Sequence, residues 1–259
     1  MILPREEWHL DTKHLGRRVL VFDCVDSTNT RAAALAEDRA NDGVVVLAEE
    51  QTAGRGQHGR SWYCQRGLGV LLSVVLFPPP ALRRPVILAA WAANAVCETI
   101  YQLAGLQAKI KWPNDVLLRG RKVCGILIEQ GRGTVVGTGL NLNQTAESFR
   151  AAQLPQAGSL AVFTGRSFDC HDVARLLIRH LDEAYQHLCD GDLDSLLPCW
   201  KQHIGLVGKQ VRVECHDAVY RGRLRELMWS GLDLEQATGD IIRLPPESVR
   251  HLTLDEDEA

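Results

Sequence analysis

At 259 residues with a formal charge of −3, the chain has room for one large or two modest domains, and it is neither basic enough to advertise a polyanionic partner nor acidic enough to suggest bulk disorder. Its eight cysteines, at 24, 64, 97, 124, 170, 189, 199 and 215, include no C-x-x-C pair and mostly sit among apolar residues, which reads as reduced thiols in a cytoplasmic protein, not a disulfide frame or zinc site. "MILPREEWHLD" has neither a basic start nor an apolar core, and the longest apolar runs fall short of about 18 residues, so neither a signal peptide nor a membrane span is expected.

In chain order, a strand at Val19 to Phe22 is followed by "DSTN", whose side chains can cap an alanine-rich helix from Thr30 to about Arg39. The strand "VVVLA" leads into "GRGQHG", Gly54 to Gly59, which has the G-x-G-x-x-G spacing of a dinucleotide-binding turn. That turn needs a helix after it and a ribose-holding acid about 20 residues on. Here "RSWYCQRGLGVLLSVVLF" reads as loop and then strand, and no Asp or Glu occurs between Glu50 and Glu98. A nicotinamide dinucleotide is thereby excluded. A helix then runs from Pro85 to about Leu103, closed by Gly105, and a meander follows with strands at 108–112, 116–118, 122–129 and 134–140. A further amphipathic helix spans Asp172 to Cys189, and the Cys170-His171-Asp172 run is read as its start. From Gly205 to Leu252 short strands and turns predict a small barrel, and the "DEDEA" tail is expected to be disordered.

Three segments carry polar residues that core packing does not call for. In "GRGQHGRSW" the glycines let amide N–H groups approach an anion, Arg55 and Arg60 add charge, and Trp62 offers a flat face; the alternative is a solvated surface loop. In "KWPND" Pro113 keeps Trp112 extended and presents Asn114 and Asp115 at a strand end beside Lys111; the alternative is an Asx-type turn. In "RKVCGILIE" Lys122 opens an apolar strand, either snorkelling at its edge or serving a ligand that comes close at Gly125. "GTGLNLN" repeats the theme, with Asn141 and Asn143 on one face after two glycines.

Taken in order, "DSTN", "EEQTAGRGQHGRSW", "KWPNDVLL", "RKVCGILIE" and "GTGLNLN" resemble the catalytic domain of the biotin–protein ligases, from about Val19 to Asn143. The barrel after Gly205 is similar to that family's small SH3-like domain. The resemblance implies an α+β fold: a class II synthetase-like catalytic domain with a mixed, largely antiparallel sheet over residues 1–204, then an SH3-like β-barrel with an acidic tail over 205–259. It implies an ATP-dependent ligase that makes biotinyl-5′-AMP and passes the biotinyl group to a lysine of a biotin carboxyl carrier domain, with Mg2+ arriving on the ATP and no metal held by the protein alone.

By the same resemblance, Ser27, Thr28, Asn29 and Gln51 would hold the ureido ring, and the loop carrying Arg55, Gly56, Gln57 and Arg60 would close over biotin and phosphate. Lys122, with Gly125 nearby, would bridge carboxyl and phosphate oxygens; Trp62 would cover the adenine and Asn141 would sit near the phosphates. Asp115 would receive the proton of the incoming lysine, whose ordinary pKa of about 10.4 leaves a gap to pH 7 worth about 4.6 kcal/mol. Lys111 gives electrostatic help or packs the strand end. Gln57 stands where many relatives have arginine. About 18 residues precede the first strand, which leaves no room for a DNA-reading domain, so no nucleic acid is expected. Monomer and homodimer both fit, and a lipoate ligase and a non-catalytic biotin-binding module are the competing readings.

Overall fold

Unbroken aliphatic runs form the centre of the sheet, since strands covered on both faces need no polar side. A computed structural model describes residues 3–255, so beyond Asp255 the tail expected to be disordered lies outside the described residues. Glu6–Trp8 (β1) and Val19–Phe22 (β2) come first, then the helix Thr28–Leu35 (α1), Val45–Ala48 (β3) and Gly69–Leu76 (β4). After the helix Pro85–Ala104 (α2), a meander follows of Lys109–Lys111 (β5), Asp115–Leu118 (β6), Arg121–Gln130 (β7) and Thr134–Asn141 (β8). These strands make one eight-stranded sheet in the order β1-β2-β3-β4-β8-β7-β6-β5, antiparallel except for the β2–β3 pair that α1 connects. The α+β class holds.

Alternation along β4 and β8 assigns the two faces. Val70, Leu72, Val74, Leu76, Val136 and Leu140 join the main core, under α2 and the helix Cys170–Cys189 (α5). Two short helices, Ala146–Ala151 (α3) and Leu160–Thr164 (α4), lie between β8 and α5. On the opposite face α1 covers the β2–β4 side and the start of β8, through a small cluster that includes Ala32, Ala36, Val46, Val75 and Val135. Beside α1 the sheet face carries Leu71, Ser73, Leu127 and the glycines 125, 137 and 139. That bare strip is the floor of the site.

α2 begins at Pro85 and ends on Gly105 at φ +67°, as its sequence predicts. At 20 residues it is apolar and long enough by composition to cross a membrane. Asn94 and Glu98 interrupt its apolar run, and the helix spends its apolar surface on the core, where Leu88, Ala90, Trp91, Val96 and Ile100 are fully buried.

The helix Leu193–Ile204 (α6) escapes a reading by pattern because Pro198 lies inside it. Its buried Leu196, Trp200 and Ile204 recur every fourth residue and hold it in place. Gly205 at φ +65° closes it, and a second antiparallel sheet follows: Gln210–Cys215 (β9), Val219–Met228 (β10), Gly231–Glu235 (β11), Ile241–Leu244 (β12) and Val249–Leu254 (β13), in the order β12-β11-β10-β9-β13. "IIRLPPESVRHL" is split into two strands, β12 and β13, because Pro245 and Pro246 can donate nothing to a ladder. Trp200 lies tilted against Trp112 and stacked on Trp229, at centroid distances of 5.4 and 5.2 Å, and the three carry the main core into this sheet.

Candidate active site

Ser27, Thr28 and Asn29 are buried at the first turn of α1, each less than 5% exposed. Ser27 is the N-cap by backbone geometry, yet its hydroxyl makes no capping bond, which leaves it for another partner. The Thr28 N–H and hydroxyl both donate to Gln51 Oε1, at 2.7 and 2.9 Å. With its oxygen so occupied, Gln51 keeps its NH2 donors, which lie beside Gly54, for another partner. Ser73 on β4 lies 2.8 Å from Thr28 Oγ1 and 2.6 Å from Asn29 Oδ1. Asn29 Nδ2 donates to Glu129 Oε2 at 2.8 Å and to Leu127 O at 3.4 Å. Asn29 thus has both donors on protein partners, and its geometry is that of a buttress more than a ligand contact. Any side chain at residue 137 would collide with the Asn29 amide, which explains the glycine there.

The segment Gly54 to Arg60 is a tight loop with no helix behind it. The Trp62 N–H donates to Gly54 O at 2.9 Å and the Gly56 N–H to Arg60 O at 2.7 Å, around a short turn at Gln57–Gly59 in which His58 and Gly59 have φ of +55° and +73°. A Cβ at Gly54 would strike Trp62 O. The loop carries Arg55 over the sheet, where its Nη2 meets Glu129 Oε2 at 2.7 Å. The Trp62 indole lies against the bare backbone of Gly139 and Gly125, with the Lys122 ammonium 5.5 Å from its ring centroid. Its Nε1 is buried with no partner. Trp62 therefore walls the middle of the cleft.

Lys122 reaches the cleft through a β-bulge. Val116 pairs with Cys124 but Leu117 pairs with Lys122, so Val123 is the extra residue. On a regular strand Lys122 and Gly125, three apart, would face opposite sides. The bulge sends Val123 and Cys124 both into the core and turns Lys122 to the Gly125 side. There Lys122 Nζ lies 2.6 Å from Asp115 Oδ1, opposite Gly125 in the β6–β7 ladder. Burial is partial, with side-chain exposures of 36% and 23%.

Before Asp115, the Trp112–Pro113 peptide is cis, and Asn114 serves the fold by donating to Ile126 O at 2.5 Å while its carbonyl accepts from the Ile126 N–H. The Trp112 Nε1 donates to Val249 O at 3.0 Å, tying this turn to the second sheet. The resulting cleft is open at its mouth and brings together every residue to which the resemblance gives a role except Asn141; Asn143, also singled out, bonds the Phe168 backbone instead. Lys111 is at its edge. Asn141 is 3% exposed and does not line the cleft; its amide donates to Gly158 O and accepts from Gln144, both at 3.0 Å, so the expected place beside the phosphates does not suit it.

Sequence reasoning missed Ser73 and Glu129, and it missed Arg250 and His251, which the second sheet brings to the cleft wall. The two glycines of "GTGLNLN", 137 and 139, share one face of β8, where Asn29 and Trp62 lie against them. The Cys170-His171-Asp172 run forms no catalytic group. His171 Nε2 pairs with Glu49 at 2.5 Å, Asp172 pairs with Arg175, and burial raises the Cys170 thiol to about 11. Among the described residues no group of three or more His, Cys, Asp or Glu could hold a metal ion.

Residues 21–143 match the Biotin/lipoate A/B protein ligase family. The Mycobacterium tuberculosis biotin–[acetyl-CoA-carboxylase] ligase is 35% identical over 225 residues, 82% of each chain. The bifunctional ligase/repressor BirA of Bacillus subtilis is 31% identical over 220 residues, 83% of this chain and 68% of its own. A solved biotin protein ligase from Aquifex aeolicus, in complex with biotin and ATP, superposes with a TM-score of 0.78 at 24% identity, covering 92% of this chain and 99% of that one.

Proposed function

The chain belongs to the biotin/lipoate A/B protein ligase family, and from that premise we propose how its cleft joins biotin to a carrier. The protein is an ATP-dependent ligase that forms biotinyl-5′-AMP and transfers the biotinyl group to a carrier protein. One observation carries the assignment of ends. Buried Ser27 and Thr28 and half-buried Gln51, the last two bonded to each other, lie beside α1 in a slot walled by Leu71, Leu127 and Trp62; the Lys122–Asp115 ion pair lines its other part, and Arg55, held on Glu129, reaches in from the loop. A neutral ureido head wants donors and acceptors in an otherwise apolar slot, and a carboxylate meeting a phosphate wants positive charge.

In this reading the biotin carboxylate attacks the α-phosphorus of ATP and pyrophosphate leaves. Lys122, Arg55 and the loop amides face the oxygens on which charge develops, with Arg60 at the rim. Trp62 is better placed to wall the biotin chain and carboxyl–phosphate junction than to cover the adenine alone. The carrier lysine then attacks the anhydride carbonyl, its proton goes to Asp115, and AMP departs. The described residues offer no cluster of their own for Mg2+, which would travel on the triphosphate. The cytoplasm is the compartment that suits the free thiols and the substrates. The net charge of −3 gives duplex DNA little counterion release to drive binding. Residues 1–204 would form the catalytic unit and 205–259 a barrel that closes one side of the cleft.

Lipoate is disfavoured by the same polar end. Its dithiolane ring has no ureido donors or acceptors, so the buried groups would be left unpaired at about 1–3 kcal/mol each. The test is exchange of labelled pyrophosphate into ATP. It should depend on biotin and be indifferent to lipoate, and exchange driven by lipoate, or biotin binding without exchange, would overturn the assignment.

A further inference from the structure

We propose that Glu129 is a positioning residue, whose carboxylate aims the loop guanidinium of Arg55 into the cleft; the proposal rests on the reading of that cleft given above. A carboxylate beside a site for an anionic intermediate opposes binding by Coulomb's law unless a cation lies between and is directed by it. That is the arrangement at the end of β7. Glu129 Oε2 accepts from Arg55 Nη2 at 2.7 Å and, from the other side, from Asn29 Nδ2 at 2.8 Å. Asn29 is itself held by Ser73 and by the absence of a side chain at Gly137. The carboxylate is therefore fixed from α1 and in turn holds the exposed side chain of Arg55.

Arginine offers five donors in a planar fork, so one nitrogen given to Glu129 leaves the donors of the other two for the cleft that Arg55 lines. The Arg55 side chain is 42% exposed, and an untethered arginine there would lose its rotamer freedom only when the ligand bound. The bond to Glu129 takes that loss in advance.

The test uses the full chain and measures dissociation of labelled biotinyl-AMP from wild type, Glu129→Gln, Arg55→Ala and the double variant, with the biotin dissociation constant alongside. Glutamine keeps an acceptor for Asn29 but loses the charge that holds Arg55. Glu129→Gln should therefore change biotin affinity less than about twofold and speed biotinyl-AMP release about fivefold, less at high salt. Added to Arg55→Ala, it should change release less than about twofold, because its effect acts through that residue. A purely structural role would not disappear in this way. Biotin binding by the wild type bears on the reading of the cleft, and the ratios between variants bear on Glu129. Equal release from Glu129→Gln and wild type, or a fivefold effect that persists without Arg55, would overturn the proposal.

Discussion

Lys122 Nζ and Asp115 Oδ1 are 2.6 Å apart, so the residue assigned to adenylation and the one assigned to transfer form a pair. Lys122→Ala should slow biotinyl-AMP formation on the order of 10²–10³, the scale of one preorganised donor. A near-normal single-turnover rate would return the lysine to a snorkelling role. Asp115→Asn should slow transfer from preformed biotinyl-AMP most, and by releasing Lys122 it should also slow adenylation about fivefold, the scale of a partly exposed ion pair. Equal slowing of both steps would reduce Asp115 to a residue that shapes the turn. Both residue types could be read from "KWPND" and "RKVCG", but their pairing could not, because it depends on the Val123 bulge, and a period-2 pattern cannot reveal an extra residue. Glu129 was equally hidden, since one acid at a strand end looks like ordinary polarity. Asn29 was legible as important, while the use of both its donors on Glu129 and Leu127 depends on strands about 100 residues away.

Among elements, those with a strong local pattern were legible: β2, β4, α2 with its proline start and glycine stop, α5, and the β5–β8 meander. Those missed depend on distant partners. The three-residue β1 exists because it pairs with β2, and α6 survives its internal proline because it packs against α2 and β5. The segment after β1 is another case, with no pattern of its own. Asp182 on α5 is 5% exposed and accepts from the backbone N–H groups of Lys13, His14 and Leu15 at 2.8, 2.7 and 2.7 Å. Gly43 fits beneath the same turn, where a Cβ would strike His14 O. Asp182→Ala would strip three amides of their acceptor and should cost on the order of 3 kcal/mol of unfolding free energy, because bonds to a charged acceptor are the stronger kind. Pyrophosphate exchange per folded molecule should be unchanged, since none of these residues lines the cleft. Urea denaturation followed by tryptophan fluorescence measures the first quantity, and a loss below about 1 kcal/mol would mean that solvent replaces the carboxylate.

For the molecule as a whole, the stack of Trp112, Trp200 and Trp229 makes one continuous core of the two sheets, so unfolding of the described parts should be a single transition and not two. Its pH dependence follows from buried groups, Cys97, Cys124 and Tyr185 within that core and Cys64 outside it. Burial raises the thiols of Cys64 and Cys97 each to about 12, raises that of Cys124 further, and also raises the Tyr185 phenol. An unfolded cysteine titrates near 8.5, so above that pH the folded chain binds more protons than the unfolded one. The stability these thiols contribute is whole below about pH 8.5 and is lost as pH rises toward their folded values. Each fully responding thiol steepens the fall by about 1.4 kcal/mol per pH unit, so three of them should bring the urea midpoint down sharply between pH 8 and pH 10. The fall should be shared by tryptophan fluorescence, weighted toward the stack, and by far-ultraviolet circular dichroism, which reports both sheets. Cys97→Ala should have a shallower slope above pH 9 than the wild type, although its stability at pH 7 is lower. A midpoint flat to pH 10 would mean that the thiols meet solvent before unfolding, and separate midpoints for the two signals would mean that the tryptophan stack does not join the sheets into one cooperative unit.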